Sequence, residues 1–423
     1  MKFLLTTFGS FGDLHPYIAV GKGLRERGHA VTLATSEIYR AKVEGEGLAF
    51  HAVRPDMSGV IDDPETMRRA FHKRTGTEYV VRKMFMPFVE QAFEDTLAAG
   101  SGMDLIVGHG LAFAVPLVSE ITKTPWISIA LAPSYMLSAH DPPCMPGMEL
   151  FEAFRQFGPG FWRMIWKLAK FSARGWGEPV NRLRTRLGLP KRANPLMDDV
   201  FSPLGTQAWF SRTLAQPQPD WPPKTMVTGF PFYDRRDAGS GMSAELRQFL
   251  NAGPPPVVFT LGSSAVFHAG DFYQESLRAA RIAGLRAVLL IGRDARNQLT
   301  EPPDDSVFVA EYAPYSELLP HAAATVHQGG IGTTAQALRA GRPMIVVPYS
   351  HDQPDNARCV ARLRVARVVK RSQYGADRVA RELTGLLGAP HVDTARRVAM
   401  ELSREDGVQN ACENLLSLGH NSV

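Results

Sequence analysis

The chain has 423 residues, 44% of them hydrophobic and 21% charged, which excludes a disordered polymer and leaves room for two or three domains of roughly 100–200 residues each. Its 47 Lys and Arg against 42 Asp and Glu give a net charge of +5, but ten basic and two acidic side chains fall within residues 151–192, so the rest of the chain is net −3. Three cysteines with no CxxC or Cys/His spacing exclude a disulfide framework and a zinc module, and no stretch approaches about 18 uncharged apolar residues, so no membrane span is expected.

Residues 3–8 read as a strand; the apolar run is too short for a signal-peptide core, and a cytoplasmic location is expected. Residues 16–28 place Ile18, Val20 and Leu24 at helical spacing and stop on Gly28. Further strands are expected at 30–35, 48–53, 105–108 and 126–131, with helices between them. This alternation predicts a parallel sheet covered on both faces. A Pro-rich loop over 132–148 precedes the basic window at 151–192, which also holds three of the six tryptophans, Trp162, Trp166 and Trp176. Residues 231–241 have linker composition, and a second alternating series follows, with strands at 257–261, 287–291, 307–310, 324–327 and 344–347. The expected architecture is α/β, two Rossmann-like domains divided as 1–234 and 235–405, with a C-terminal helix over 406–423 packing back toward the first.

Two loops carry the chemistry. The first strand runs into Gly9-Ser10-Phe11-Gly12-Asp13-Leu14-His15-Pro16, a glycine-rich turn at the carboxyl edge of the sheet, where ligands of such sheets bind. It has neither the GxGxxG nor the GK[ST] pattern, so it does not grip a nucleotide alone. Asp13 and His15 are candidate general bases; equally, Asp13 could cap the helix entered at Pro16 and His15 be a satisfied turn residue. In the second series, the strand ending in His327 leads into Gln328-Gly329-Gly330-Ile331-Gly332-Thr333-Thr334 and a helix over 335–340. Three glycines and two hydroxyls at a strand-to-helix turn suit an anionic group. Asp352 and Gln353, at the end of the next strand, could bind hydroxyls of a polar ligand, and Ser263 and Ser264 form another small polar turn on the same edge.

These residues, with Gly341-Arg342-Pro343 and His351-Asp352-Gln353-Pro354-Asp355-Asn356, resemble the nucleotide-sugar signature of family 1 glycosyltransferases. The likeness extends over nearly the whole chain through Ser138-Ala139-His140-Asp141, Asp220-Trp221-Pro222 and Thr228-Gly229-Phe230-Pro231, and leans toward the rhamnosyltransferases of rhamnolipid synthesis. It implies the GT-B fold, with two parallel sheets facing across a cleft. It implies Asp13 as catalytic base, with Gly9, Ser10 and Gly12 beside the donor phosphates. It implies Ser263, Gly330, Thr333 and Thr334 on the diphosphate, Asp352 and Gln353 on the sugar, and Tyr312 stacked on the base. Where many relatives carry a second histidine this chain has Gln328, so either His327 or Gln328 is the phosphate ligand. Gln336 stands near the ribose-binding glutamate of plant members, and His109 stands where they hold an aspartate that orients the catalytic group; His109 could pair with Asp13 or simply pack at a strand end.

The implied reaction is a direct, inverting displacement from a nucleotide-diphosphate sugar, dTDP-rhamnose or UDP-glucose, onto a hydroxyl of a hydrophobic acceptor, without a bound cofactor. No DxD motif occurs, so no metal is expected. Phe154, Phe161, Trp162 and Trp166 are the candidate acceptor lining, and the neighbouring basic residues could meet an acidic lipid head group or an anionic membrane surface, or simply form a solvated face. No nucleic-acid motif accompanies the charge. Three alternatives stand beside this: a UDP-glucose-dependent enzyme for small aglycones, a silent binder of nucleotide sugars or lipids, and a nicotinamide dehydrogenase. The last lacks its third glycine and an acidic residue closing the second strand.

Overall fold

A computed structural model describes residues 1–60, 63–234 and 241–420. The linker expected at 231–241 lies outside the described residues over 235–240. The chain forms two units: Met1–Ala70, Arg74–Tyr233 and Glu405–Val423 in one, Phe71–Lys73 and Asp234–Arg404 in the other.

The first unit holds seven strands, β1 (Lys2–Thr6), β2 (Ala30–Thr35), β3 (Ala49–Ala52), β4 (Leu105–His109), β5 (Trp126–Ala130), β6 (Thr206–Ala208) and β7 (Thr225–Val227). They pair in the order β3-β2-β1-β4-β5-β6-β7, every pair parallel. The second unit holds β8 (Val257–Thr260), β9 (Ala287–Leu290), β10 (Val307–Ala310), β11 (Ala324–His327), β12 (Met344–Val346) and β13 (Ala366–Val368), parallel in the order β10-β9-β8-β11-β12-β13. Six helices matter below: α1 (Phe11–Glu26), α2 (Gly158–Ser172), α3 (Gly262–Ala265), α4 (Ile331–Arg339), α5 (Gln353–Arg362) and α6 (Gly407–His420).

The central strands are apolar on both faces because each face is covered. Phe3 and Leu5 of β1 enter a cluster with Leu33, Val107 and Leu415, while Leu4 between them joins Ile106 and Val118 on the other side. α6 closes the first unit against α1. Ala411, Cys412 and Leu415 are fully buried with Val20 and Leu24, and Gln207 Nε2 donates to Ala411 O at 3.1 Å. The close crossing requires Gly23: a Cβ there would stand 2.7 Å from Val408 and 2.9 Å from Cys412.

In each sheet the strand order reverses once, between β1 and β4 and between β8 and β11, and the carboxyl ends at that reversal open the crevice in which such sheets bind ligands. The loops after β1 and β4, and after β8 and β11, are therefore the ones the topology offers to chemistry.

Candidate active site

In the first unit Ser10 caps α1. Its Oγ accepts from Gly12 N at 3.1 Å, and Asp13 Oδ2 accepts from Ser10 N at 2.8 Å, a reciprocal capping box. Gly9 makes room for it: φ is +128°, and any Cβ would collide with the Asp13 carboxylate. The helix thus begins at Phe11, not at Pro16, and Pro16 lies inside it. Asp13 does cap the helix, and the same fold-back fixes the carboxylate at the sheet edge with its side chain 27% exposed.

Asp13 Oδ1 faces His109, the last residue of β4, at 3.8 Å from Nε2. Leu111 N donates to His109 Nδ1 at 3.4 Å, which leaves the ring proton on Nε2, toward Asp13 and toward Tyr135 OH at 3.5 Å. Burial lowers the His109 pKa to about 4, so the ring is neutral. Its side chain is wholly enclosed, so it can act on Asp13 and not on a substrate. His15 stands two residues further along α1. Two residues along a helix is a turn of about 200° from Asp13, and the His15 ring lies against Phe11 at 5.3 Å and Tyr233 at 4.8 Å.

In the second unit α4 starts at Ile331, so Gly332, Thr333 and Thr334 are helical and not part of a preceding loop. Its N-cap, Gly330, has no side chain to cover the first-turn N–H groups; the Asp352 carboxylate accepts from Ile331 N, and the rest of the first turn of this nine-residue helix suits anionic oxygens. Gly329 takes φ +88°, and a Cβ there would stand 2.6 Å from Val346. Thr333 and Thr334 differ: the Thr333 hydroxyl lies beside Gly262 in the α3 turn, whereas Thr334 is fully buried with its hydroxyl unpartnered.

His327 turns into the interior of the second unit. It is 0% exposed, its Nδ1 accepts from Gly329 N at 3.0 Å, and its Nε2 meets Met344 Sδ at 3.4 Å. Burial lowers its pKa to about 3. Gln328 lies between the two glycine turns, with its Nε2 against Gly262 and Gly330 and its Oε1 buried without a partner. Asp352 precedes α5. Its Oδ2 accepts from Asn356 Nδ2 at 2.7 Å, and burial raises its pKa to about 6. Gln353 is committed to the backbone, its Oε1 accepting from Tyr349 N at 2.8 Å and Ser350 N at 3.1 Å, so only its amide N–H groups remain for a sugar. Ser263 is exposed, Ser264 and Gln336 are half-buried, and Tyr312 is 58% exposed after β10.

Sequence reasoning assigns no role to Asn356 or Tyr315. Asn356 Nδ2 also donates to Gly329 O at 2.9 Å, tying the glycine turn to Asp352. Tyr315 OH lies 2.8 Å from Thr260 Oγ1 and faces the Thr333 hydroxyl, and burial pushes its pKa up to about 12. Asn356 closes the 351–356 motif and could have been found there; Tyr315 leaves no signal, because Thr260 is 55 residues distant from it and Thr333 lies on another helix.

The acceptor candidates divide. Trp162 is 2% exposed and belongs to the packing, and Trp166 donates its Nε1–H to Ser138 O at 3.1 Å. Phe154, 38% exposed, and half-buried Phe161 remain at the surface. Part of the basic window is internal as well: Arg184 is fully buried, 2.8 Å from Glu120, 3.5 Å from Asp199 and donating to Pro190 O at 2.6 Å. Among the described residues no group of three or more His, Cys, Asp or Glu side chains is placed to hold a metal ion, and no helix is long and apolar enough to cross a membrane.

Residues 3–118 match the glycosyltransferase family 28 N-terminal domain, and residues 279–417 match the erythromycin biosynthesis protein CIII-like C-terminal domain. The O-mycaminosyltylonolide 6-deoxyallosyltransferase of Streptomyces fradiae is 34% identical over 430 residues, 97% of this chain and 96% of its own. The chain belongs to the family 1 glycosyltransferases. A sterol 3-beta-glucosyltransferase of Cryptococcus neoformans is 27% identical over 98% of this chain, which spans 27% of that longer protein. The glycosyltransferase shares its fold with the solved kitacinnamycin glycotransferase, with a TM-score of 0.74 at 21% identity over 99% of this chain and 98% of that one. The solved glycosyltransferase VinC, in complex with dTDP, gives 0.68 at 19% identity over 100% of both chains.

Proposed function

We propose that this glycosyltransferase moves a hexosyl group, rhamnose or glucose, from a nucleotide-diphosphate sugar to a hydroxyl of a hydrophobic, lipid-like acceptor, with inversion and without a metal ion. The observation that carries the reading is the Asp13 carboxylate. It is pinned by Oδ2 to the cap of α1, half open, and faced on Oδ1 by the neutral His109 ring. A fixed carboxylate at a sheet reversal suits a general base; His109 is its positioning residue.

In the proposed step, Asp13 Oδ1 takes the proton of the acceptor hydroxyl as its oxygen bonds to the anomeric carbon. The bond from that carbon to the diphosphate breaks, and its electron pair leaves with the phosphate. The first turn of α4, the Thr333 and Ser263 hydroxyls and the Gln328 amide stabilise the charge gained there. Asp352 and the Gln353 amide hold sugar hydroxyls, and Tyr312 offers a face to the base. Water must be kept from the donor during the transfer.

A donor on thymidine diphosphate is favoured by the VinC complex, and a deoxyhexose by the name of the Streptomyces relative. A second reading, UDP-glucose transferred to a small aglycone such as a sterol, is supported by the sterol glucosyltransferase. Mass spectrometry of products in the presence of a chelator separates them. dTDP-rhamnose with a hydroxy fatty acid yields the glycolipid on the first reading, and UDP-glucose with a sterol yields the glucoside on the second. Product that forms only after divalent metal is added contradicts both.

A further inference from the structure

α2 divides its surface into three sectors. Trp162 and Trp166 lie on the packed side. Phe161, Met164, Leu168 and Phe171 follow a 3-4-3 spacing, which makes one stripe about 15 Å long on the helix, and Phe157, just before the helix, adds its ring beside Phe161 at 5.4 Å. That stripe is open: Phe157 is 57% exposed, Met164 50%, Leu168 58% and Phe171 61%. Beside it runs a basic row at the same spacing, Arg163, Lys167, Lys170 and Arg174.

Residues 158–177 contain no acidic side chain. Lys170 pairs with Asp198, and the Arg174 guanidinium sits 4.1 Å from the Phe171 ring centre. Arg163 contacts the His140 ring at 3.1 Å, and Arg163, Lys167 and Arg174 make no ion pair among the described residues. The aromatic side chains gather at the N-terminal end, where Phe154 and Phe157 stack at 5.7 Å.

We infer that α2 is a membrane-docking helix that lies in the plane of an anionic lipid surface, with the apolar stripe at the acyl boundary and the basic row among the head groups. Charge complementarity selects this occupant. A second copy of the helix would bring two basic rows together, and a neutral apolar partner would leave that row without a counterpart. An exposed stripe of Phe, Met and Leu flanked by Lys and Arg has the composition of an interfacial helix. A solvated helix face needs neither the stripe nor the row in register. The inference does not depend on which sugar or acceptor the enzyme uses.

The test is co-sedimentation of the full chain with vesicles of phosphatidylcholine, with and without phosphatidylglycerol. Binding is expected only to the anionic vesicles, weakening as salt is raised. Lys167→Gln with Arg174→Gln weakens it about thirtyfold, at about 1 kcal/mol per basic side chain near the surface. Met164→Ser with Leu168→Ser removes it, with the wild-type melting curve retained because these side chains are on the solvent side. No binding to anionic vesicles, or equal binding to neutral ones, overturns the inference. So does a dimer in light scattering that Leu168→Ser dissolves, which would assign the stripe to a second copy.

Discussion

Histidine and glutamine are neighbours at 327 and 328, and their environments give them opposite work. His327 turns inward to the backbone of Gly329 and the Met344 sulfur. Gln328 turns along the glycine turns. His327→Ala is expected to lower stability by about 2 kcal/mol or more through lost packing and an unsatisfied Gly329 N–H, read in a thermal melt. Gln328→Ala is expected to leave the melt near wild type and raise the KM for the donor about tenfold, with kcat less affected. The motif leaves the pair as alternatives for the phosphate; choosing between them needs the direction of β11, which places residue 327 in the sheet and 328 past its end. Likewise Ser10 and Asp13 are legible as a capping box three apart, but His109 joins Asp13 only because β4 pairs with β1. His109→Ala is expected to lower kcat about tenfold with the donor KM unchanged, and His109→Gln, which keeps an N–H donor, to restore part of it. Equal loss in both would make His109 a packing residue only.

At the scale of elements, alternation of apolar runs with helical periodicity locates ten of the thirteen strands among the described residues, and the sheets follow from it. The three missed, β6, β7 and β13, have three residues each and mix polar with apolar side chains, whereas the equally short β12 is apolar throughout. Helix starts are misplaced where a residue usually read as punctuation is tolerated inside: Pro16 in α1, where the lost N–H removes one bond, and Gly332 in the first turn of α4. The pairing of α6 with α1 leaves a sharper expectation. Gly23→Val places side-chain atoms where Val408 and Cys412 stand, and Leu415→Ala opens a cavity in the cluster with Leu24. Each is expected to cost the first unit about 2–4 kcal/mol. A chemical melt in which either variant equals wild type would show that α6 is dispensable there.

For the whole molecule, acid is the condition that separates these contributions. His109 and His327 ordinarily titrate near 6.5, and burial holds them at about 4 and about 3. Between those values and 6.5 the unfolded state takes up protons that the native state does not, so stability is complete above pH 6.5 and falls as pH drops toward 4. Asp352 opposes this: raised to about 6, it contributes stability at low pH that is lost as pH rises through 6. His351, held by burial at about 4, adds to the histidine side, so the melting temperature is expected to fall between pH 7 and pH 4.5, and less steeply in His109→Gln. A flat profile would mean the rings are not enclosed. The basic window changes meaning at this scale too. A net charge counted along the sequence includes Arg184, which is buried among carboxylates, while the row on α2 is outside.

The central claim is that Asp13 takes the proton in a metal-independent transfer. The direct measurement is acceptor-dependent release of nucleoside diphosphate by Asp13→Asn, with donor affinity measured separately by calorimetry and a chelator present throughout. Asparagine keeps an oxygen for the Ser10 cap. The account predicts kcat lower by on the order of a hundredfold or more with donor affinity within about threefold of wild type. Turnover at the wild-type rate in that variant would contradict it.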